Sequence, residues 1–312
     1  MPMLDTSPRI DPRRPRGRVH ALACLAALGA QVLGASPARA DVAGSIALVH
    51  PDGSGFTVVA PTVLAESLDW SPDGTRLAFE NYAGGNADIF VVGADGAGLR
   101  RLTADPGDEL RPRWIDDARL TFERKMGEDD TEVYQMYGDG SGTSLLLTLP
   151  GRNLDWSPDR SALAFSSRRA GDSDIWTMRA DGSGLRQVTD TAGAEDNPVW
   201  SPDGSRIAFH RWDGAGTDIY FVDAAVTRET RLTFTRTFNG LPDWSPDGDR
   251  IAFYGTGDDG DADIHVVDVD TGATARVTDD PATVDGGPVW SPDGTRIAFV
   301  RHQATSGPEE GP

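Results

Sequence analysis

Six tryptophans recur at a nearly fixed interval, and that interval limits the fold more than any other feature of the chain. Trp70, Trp114, Trp156, Trp200, Trp244 and Trp290 lie 44, 42, 44, 44 and 46 residues apart. Four of them are followed by Ser-Pro-Asp-Gly, as in Trp200-Ser201-Pro202-Asp203-Gly204. An apolar triplet then follows: Leu77-Ala78-Phe79, Ile207-Ala208-Phe209, Ile251-Ala252-Phe253 and Ile297-Ala298-Phe299. Further on come an acidic residue before an apolar pair (Asp88-Ile89-Phe90, Asp174-Ile175-Trp176, Asp218-Ile219-Tyr220), an Asp-Gly turn, and an apolar-Thr pair such as Leu102-Thr103. Self-similarity at this period is the mark of a stacked or radial repeat architecture.

Each piece is a short apolar or alternating run bounded by Gly, Pro, Asp or Ser, which reads as a strand between tight turns. In the Ser-Pro-Asp-Gly turn, Pro72 fixes φ, Asp73 bonds locally to backbone, and Gly74 can take φ > 0. Four strands in each of six units predict an all-β chain folded as a six-bladed propeller of four-stranded blades. The last unit runs from Trp290 to Val300 and then gives way to a polar tail, so it lacks two strands. Ser45–Val49 and Phe56–Val59, joined through Asp52-Gly53, match the missing pair. The N-terminal strands are expected to complete the last blade and close the ring, which removes an open sheet edge.

The first forty residues do not fit the repeat. Arg13, Arg14, Arg16 and Arg18 precede an apolar run from Ala21 to Ala35, and Ala38-Arg39-Ala40 comes before Asp41. This is the pattern of a cleaved secretory signal peptide. The apolar run is short for a membrane span. Residues 1–40 are therefore read as a leader, 41–303 as the propeller and 304–312 as a disordered tail, in a monomer exported to the periplasm or secreted from a bacterium. Twin-arginine export at Arg13-Arg14 and lipoprotein acylation at Cys24 are the rival readings of the leader. Cys24 is the sole cysteine, so a mature chain without it has no disulfide, thiolate metal site or cysteine nucleophile.

The formal net charge of the chain is −20. A phosphate backbone demands clustered Lys and Arg, so nucleic acid is excluded as a partner, and an anionic membrane surface is disfavoured. Cations and basic segments are favoured instead. His50, His210, His265 and His302 fall in different units at no ligand spacing, and no Gly-x-Ser-x-Gly elbow occurs. No cofactor is expected. The best metal candidate is the loop Asp258-Asp259-Gly260-Asp261-Ala262-Asp263, whose hard oxygens suit calcium. Asp88, Asp174 and Asp218 read as structural, bonding to neighbouring backbone.

At the Trp-Ser-Pro-Asp-Gly residues, and at Pro198-Val199-Trp200 and Pro288-Val289-Trp290 with their successors, the chain resembles the TolB-like WD-type repeat propellers. The resemblance covers roughly residues 44–300, in all six units. Ile115-Asp116-Asp117-Ala118 and Asp159-Arg160 depart from the turn pattern. The resemblance implies a non-catalytic interaction or scaffolding module with a protein partner in the cell envelope, or a basic peptide segment, at one mouth of a central channel. It also implies that the tryptophan-bearing strands line that channel. The mouth would then carry Glu66, Glu109, Arg152, Asp196, Asn239 and Asp285, an acidic ring that attracts a cation or basic partner. Charge reversal at Glu109 and Asp196 is expected to abolish binding there. The alternative function is a metal-dependent glycan lyase or hydrolase built on a propeller.

Overall fold

The structure is a computed structural model, and it describes residues 44–304 apart from 83, 128–129, 226–227, 236 and 258–260. Residues 1–40, expected to be a leader, most of the expected tail, and Asp258, Asp259 and Gly260 of the candidate calcium loop lie outside the described residues.

Among the described residues, twenty-four strands form six antiparallel sheets of four. The chain opens with β1 (Gly44–Val49) and β2 (Thr57–Val63). Blade 1 is β3 (Ala65–Trp70), β4 (Arg76–Asn81), β5 (Asp88–Gly93) and β6 (Arg100–Arg101). Blade 2 is β7 (Glu109–Trp114), β8 (Arg119–Lys125), β9 (Thr131–Tyr137) and β10 (Ser144–Leu149). Blade 3 is β11 (Arg152–Trp156), β12 (Ala162–Ser167), β13 (Asp174–Arg179) and β14 (Arg186–Gln187). Blade 4 is β15 (Ala194–Trp200), β16 (Arg206–Trp212), β17 (Thr217–Asp223) and β18 (Glu229–Arg231). Blade 5 is β19 (Asn239–Trp244), β20 (Arg250–Thr256), β21 (Ala262–Asp268) and β22 (Thr274–Arg276). Blade 6 begins with β23 (Thr283–Trp290) and β24 (Ile297–Gln303).

The sixth sheet runs β2-β1-β24-β23, so the first strands of the chain supply the outer half of the last blade. Ile46 pairs with Val300 and Ala47 with Phe299, while Ala47 also faces Val58. The expected clasp is present in that register. In each blade the inner strand then borders the central channel and the outer strand is the edge on the rim.

The turn after each tryptophan follows from its side chains. Asp73 accepts hydrogen bonds from Ser71 Oγ at 2.6 Å and from the Thr75 amide at 2.9 Å. These bonds hold its carboxyl down at about 2. Gly74 takes φ 68°. In blade 3 the same left-handed position falls to Arg160, at φ 61°, and its guanidinium donates to the Trp114 carbonyl at 3.0 Å. Between blades the core is laid down by the triplets. Phe79, Phe122, Phe165, Phe209 and Phe299 are fully buried and Phe253 nearly so, one from the second strand of each blade. Burying each is worth about 1.5–3 kcal/mol.

Candidate functional site

The first strand of every blade packs around the axis, and each carries a β-bulge at the same place. The register between first and second strands shifts at Glu66/Asp69, Leu110/Arg113, Arg152/Asp155, Asp196/Val199, Gly240/Asp243 and Gly286/Val289. Three residues before each tryptophan, the backbone is left-handed. The residues are Ser67, Arg111, Asn153, Asn197, Leu241 and Gly287, with φ between 49° and 59°. Five are not glycine, so the fold holds five side chains in a conformation that costs roughly 1–2 kcal/mol each. The bulges turn these six residues toward the axis, where all six line one central cavity of 90 Å³. That is room for a few water molecules.

A second ring lies one residue before each tryptophan: Asp69, Arg113, Asp155, Val199, Asp243 and Val289, all lining the same cavity. Its aspartates sit in alternate blades and latch the next blade by its backbone. Asp69 Oδ2 accepts the Trp114 amide at 2.6 Å, Asp155 the Trp200 amide at 2.8 Å, and Asp243 the Trp290 amide at 2.6 Å. The other three seams use indoles. Trp156 Nε1 donates to Thr121 Oγ1, Trp244 Nε1 to the Val199 carbonyl and Trp70 Nε1 to the Val289 carbonyl, at 3.1–3.3 Å. At the tryptophans the seams therefore alternate between an aspartate acceptor and an indole donor around the ring. Enclosure by protein pushes Asp69 up to about 6, against the Arg113 charge and the Trp114 bond. Burial raises Asp155 as well. Asp243 rises to about 7 through burial, against its bond to Trp290, with Asp69 and Asp155 adding to the rise.

The bulged amides are capped from behind by the residue that follows the core phenylalanine. Glu80 accepts from the Arg111 amide at 2.7 Å, and Glu123 from the amides of Asn153 and Leu154 at 3.2 and 2.8 Å. In blade 4 that position is His210, whose Nδ1 accepts from the Leu241 amide at 3.5 Å. That acceptor role places the ring proton on Nε2, which is buried without a partner. Burial holds the ring neutral, despite the pull of Asp196.

These layers place the six expected mouth residues. Glu66 lines the cavity. The other five are buried behind it. Glu109 pairs with Arg124 at 2.8 Å, Asp285 with Arg301 at 2.7 Å, and Arg152 with Asp196 at 2.8 Å. Asp196 also accepts from Asn153 Nδ2 at 2.5 Å, and Asn239 Nδ2 donates to Asp218 and Thr235. Burial would raise the Asp196 carboxyl, but the Arg152 charge holds it low. The expected acidic ring is thus largely a set of posts that carry the channel wall. The wall itself presents Glu66, Asp69, Asp155 and Asp243 against Arg111 and Arg113. The alternating Asp before Trp in blades 1, 3 and 5 was readable in the sequence (Leu-Asp-Trp, Leu-Asp-Trp, Pro-Asp-Trp) and marks the second ring.

The repeated aspartates of the third strands bond chiefly to the outer strand's side chains. Asp88 takes Arg101 at 2.8 Å and Asp174 takes Gln187 at 2.9 Å. Asp218 binds Arg231 and Thr233, and Asp263 binds Arg276 and Thr278. Backbone contact is the lesser part, as with the Thr235 amide on Asp218. Among the described residues, no three His, Cys, Asp or Glu side chains converge to hold a metal ion.

The profile of the TolB beta propeller domain matches residues 149–306. The chain belongs to the TolB β-propeller domain family. The Tol-Pal system protein TolB of Anaeromyxobacter dehalogenans is 49% identical over 45 residues, 14% of this chain and 10% of that protein. The TolB of Syntrophus aciditrophicus is 44% identical over 55 residues, 17% of this chain and 12% of that protein. The chain thus matches about a tenth of these relatives' length. A structure described as a TolB from Agrobacterium tumefaciens superposes with a TM-score of 0.70 at 23% identity, covering 85% of this chain and 100% of that one. TolB from Acinetobacter baumannii gives 0.59 at 19% identity, over 91% of this chain and 69% of that one. At such identities the TolB structures speak for the fold alone.

Proposed function

We propose that this TolB-family propeller is an exported, non-catalytic protein-interaction module, and that a basic segment of an envelope partner docks at the channel mouth beside Glu66. The carrying observation is the left-handed ring. Six blades hold Ser67, Arg111, Asn153, Asn197, Leu241 and Gly287 around a single cavity, five of them at a conformational cost. Strain kept in every repeat at one place is expected where a surface is shaped for recognition. The cavity's four carboxyl groups outnumber its two guanidiniums, which favours a cationic occupant. Asp69, Asp155 and Asp243 are committed to backbone amides of the next blade, which suits scaffolding better than proton transfer. The relatives named for the Tol-Pal system support a partner in the envelope.

A photo-crosslinking residue at Ser67 or Leu241, with Arg186 on an outer strand as control, tests this in the exporting cell. The reading expects one envelope-protein adduct from the channel positions, lost with Glu66→Lys and absent from the control. Adducts of equal yield from Arg186, or no adduct from either channel position, would overturn it.

A further inference from the structure

Five of the six outer strands are blunted as partners for another strand by short length, charge or proline, and β10 has none of these three. Four are short, two or three residues, and carry Arg or Gln: Arg100–Arg101, Arg186–Gln187, Glu229–Arg231 and Thr274–Arg276. In each, one such residue sits opposite an aromatic or imidazole ring of the third strand, in the pairs Phe90↔Arg101, Trp176↔Gln187, Tyr220↔Arg231 and His265↔Arg276. From there it reaches the buried aspartate in the first two residues of the third strand. The fifth, β2, is seven residues long but contains Pro61, which cannot donate from an edge. Short length, charge and proline are the usual guards of an exposed edge.

In blade 2 the position of Arg101 is taken by Leu145, opposite Tyr134. The aspartate's place is taken by Glu132, which turns to the Tyr134 hydroxyl at 2.8 Å. Ser144–Leu149 reads Ser-Leu-Leu-Leu-Thr-Leu, six residues with no charge and no proline. Leu145 is 51% and Leu146 38% exposed. A bulge at Leu146 leaves the other five residues in regular register with β9. Exposed Asp139, in the turn before β10, and exposed Asp130, next to the Thr131 that pairs with Leu149, mark the two ends of the edge with negative charge.

We propose that β10 is a second docking site, which takes an extended apolar peptide strand with basic ends by adding it to the blade 2 sheet. Main-chain hydrogen bonds supply the affinity in this mode, and the Leu145–Leu146 pair and the flanking acids set the preference. A second copy of this chain fits the edge poorly. Each copy carries a net charge of −20, and six residues fall well short of the roughly 20–30 a side of a stable interface. This site lies on the outer rim and is independent of the channel reading.

The probe is a fluorescent Lys-Thr-Val-Thr-Val-Thr-Val-Lys peptide, with a control carrying Pro at the central Thr, titrated onto the whole folded protein. Saturable binding is expected for the first peptide and none for the second. Leu145→Arg, which installs the residue of blades 1, 4 and 5, should weaken binding about tenfold or more and leave the fold intact by circular dichroism. Hydrogen exchange should show new protection at 144–149. Overturning results are an absence of binding up to about 1 mM, equal binding by the proline peptide or by Leu145→Arg, or protection confined to the channel strands. A concentration-dependent dimer lost in Leu145→Arg would assign the edge to a second copy and also overturn the proposal.

Discussion

Asp69 accepts the backbone amide of Trp114 at 2.6 Å, across the seam from blade 1 to blade 2. The same bond joins blade 3 to 4 and blade 5 to 6, while indole donors join the seams between. Every seam is therefore tied at its tryptophan strand, and the three aspartate latches line the channel.

This arrangement sets a pH dependence whose sign can be worked out. Asp69 and Asp243 stand at about 6 and 7 in the fold against 3.8 when free. The folded protein then binds more protons than the unfolded chain between about pH 4 and 7, so stability falls as pH rises through that window. For Asp243 the change amounts to at most about 4 kcal/mol, reduced by channel water. The turn aspartates Asp73, Asp159, Asp203 and Asp293 stand at about 2, and their contribution is lost as pH falls below the free value toward 2. Urea unfolding from pH 3 to 8 should show greatest stability near pH 4–5, and Asp243→Asn should flatten the fall above it. A stability that climbs steadily to pH 8 in the parent protein would refute the latch assignment.

Arg152 and Asp196 form an ion pair with side chains only 9% and 1% exposed. Removing one partner leaves a buried charge unpaired, so Arg152→Met should cost about 3–5 kcal/mol. The double change Arg152→Met with Asp196→Leu should recover much of that loss. Chemical unfolding of the three variants gives the cycle. If Arg152→Met were as stable as the parent, the pair would not be a post of the channel wall.

The blades were legible because a repeat writes each element six times. Asp73 and Gly74 announce a turn by local chemistry alone, and Phe79 recurs where the core needs a large ring. The channel was harder to read. Glu109, Arg152, Asp196, Asn239 and Asp285 were placed near the axis, but a bulge after each of them rotates the strand by one residue. Bulges depend on pairing between strands, and the αL residue is announced by glycine in only one blade, Gly287. With Ser67, Arg111 or Leu241 in that role, residue type gives no signal. The ion pairs that bury Glu109 and Asp285 join them to Arg124 and Arg301 on the adjoining second strands, and which of many arginines would serve could not be read from spacing.

The clasp rests on few residues and should be sensitive. Ile46 is fully buried in a core cluster with Leu68 and Phe79 of blade 1, while its strand pairs with β24 of blade 6. Ile46→Ala should cost about 2–5 kcal/mol from the cavity left behind. Hydrogen exchange should then speed first in β1 and β2 and in their neighbours across the seam. Uniform acceleration over all six blades would mean that the ring opens elsewhere.

The left-handed ring makes the last prediction. Ser67 has φ 49° and lines the cavity. Glycine enters that region without a Cβ penalty but loses more freedom on folding, by about 0.5–1 kcal/mol. Ser67→Gly should therefore be neutral or raise stability by up to about 1 kcal/mol. Valine is branched at Cβ and fits φ > 0 badly, so Ser67→Val should lose about 1–3 kcal/mol. If recognition depends on the ring's shape rather than its side chains, Ser67→Gly should keep the crosslinks seen from Leu241, and Ser67→Val should lose them while the protein remains folded. Equal stability of the two variants would show that the bulge relaxes without strain, and the ring would then lose its standing as the mark of the docking surface.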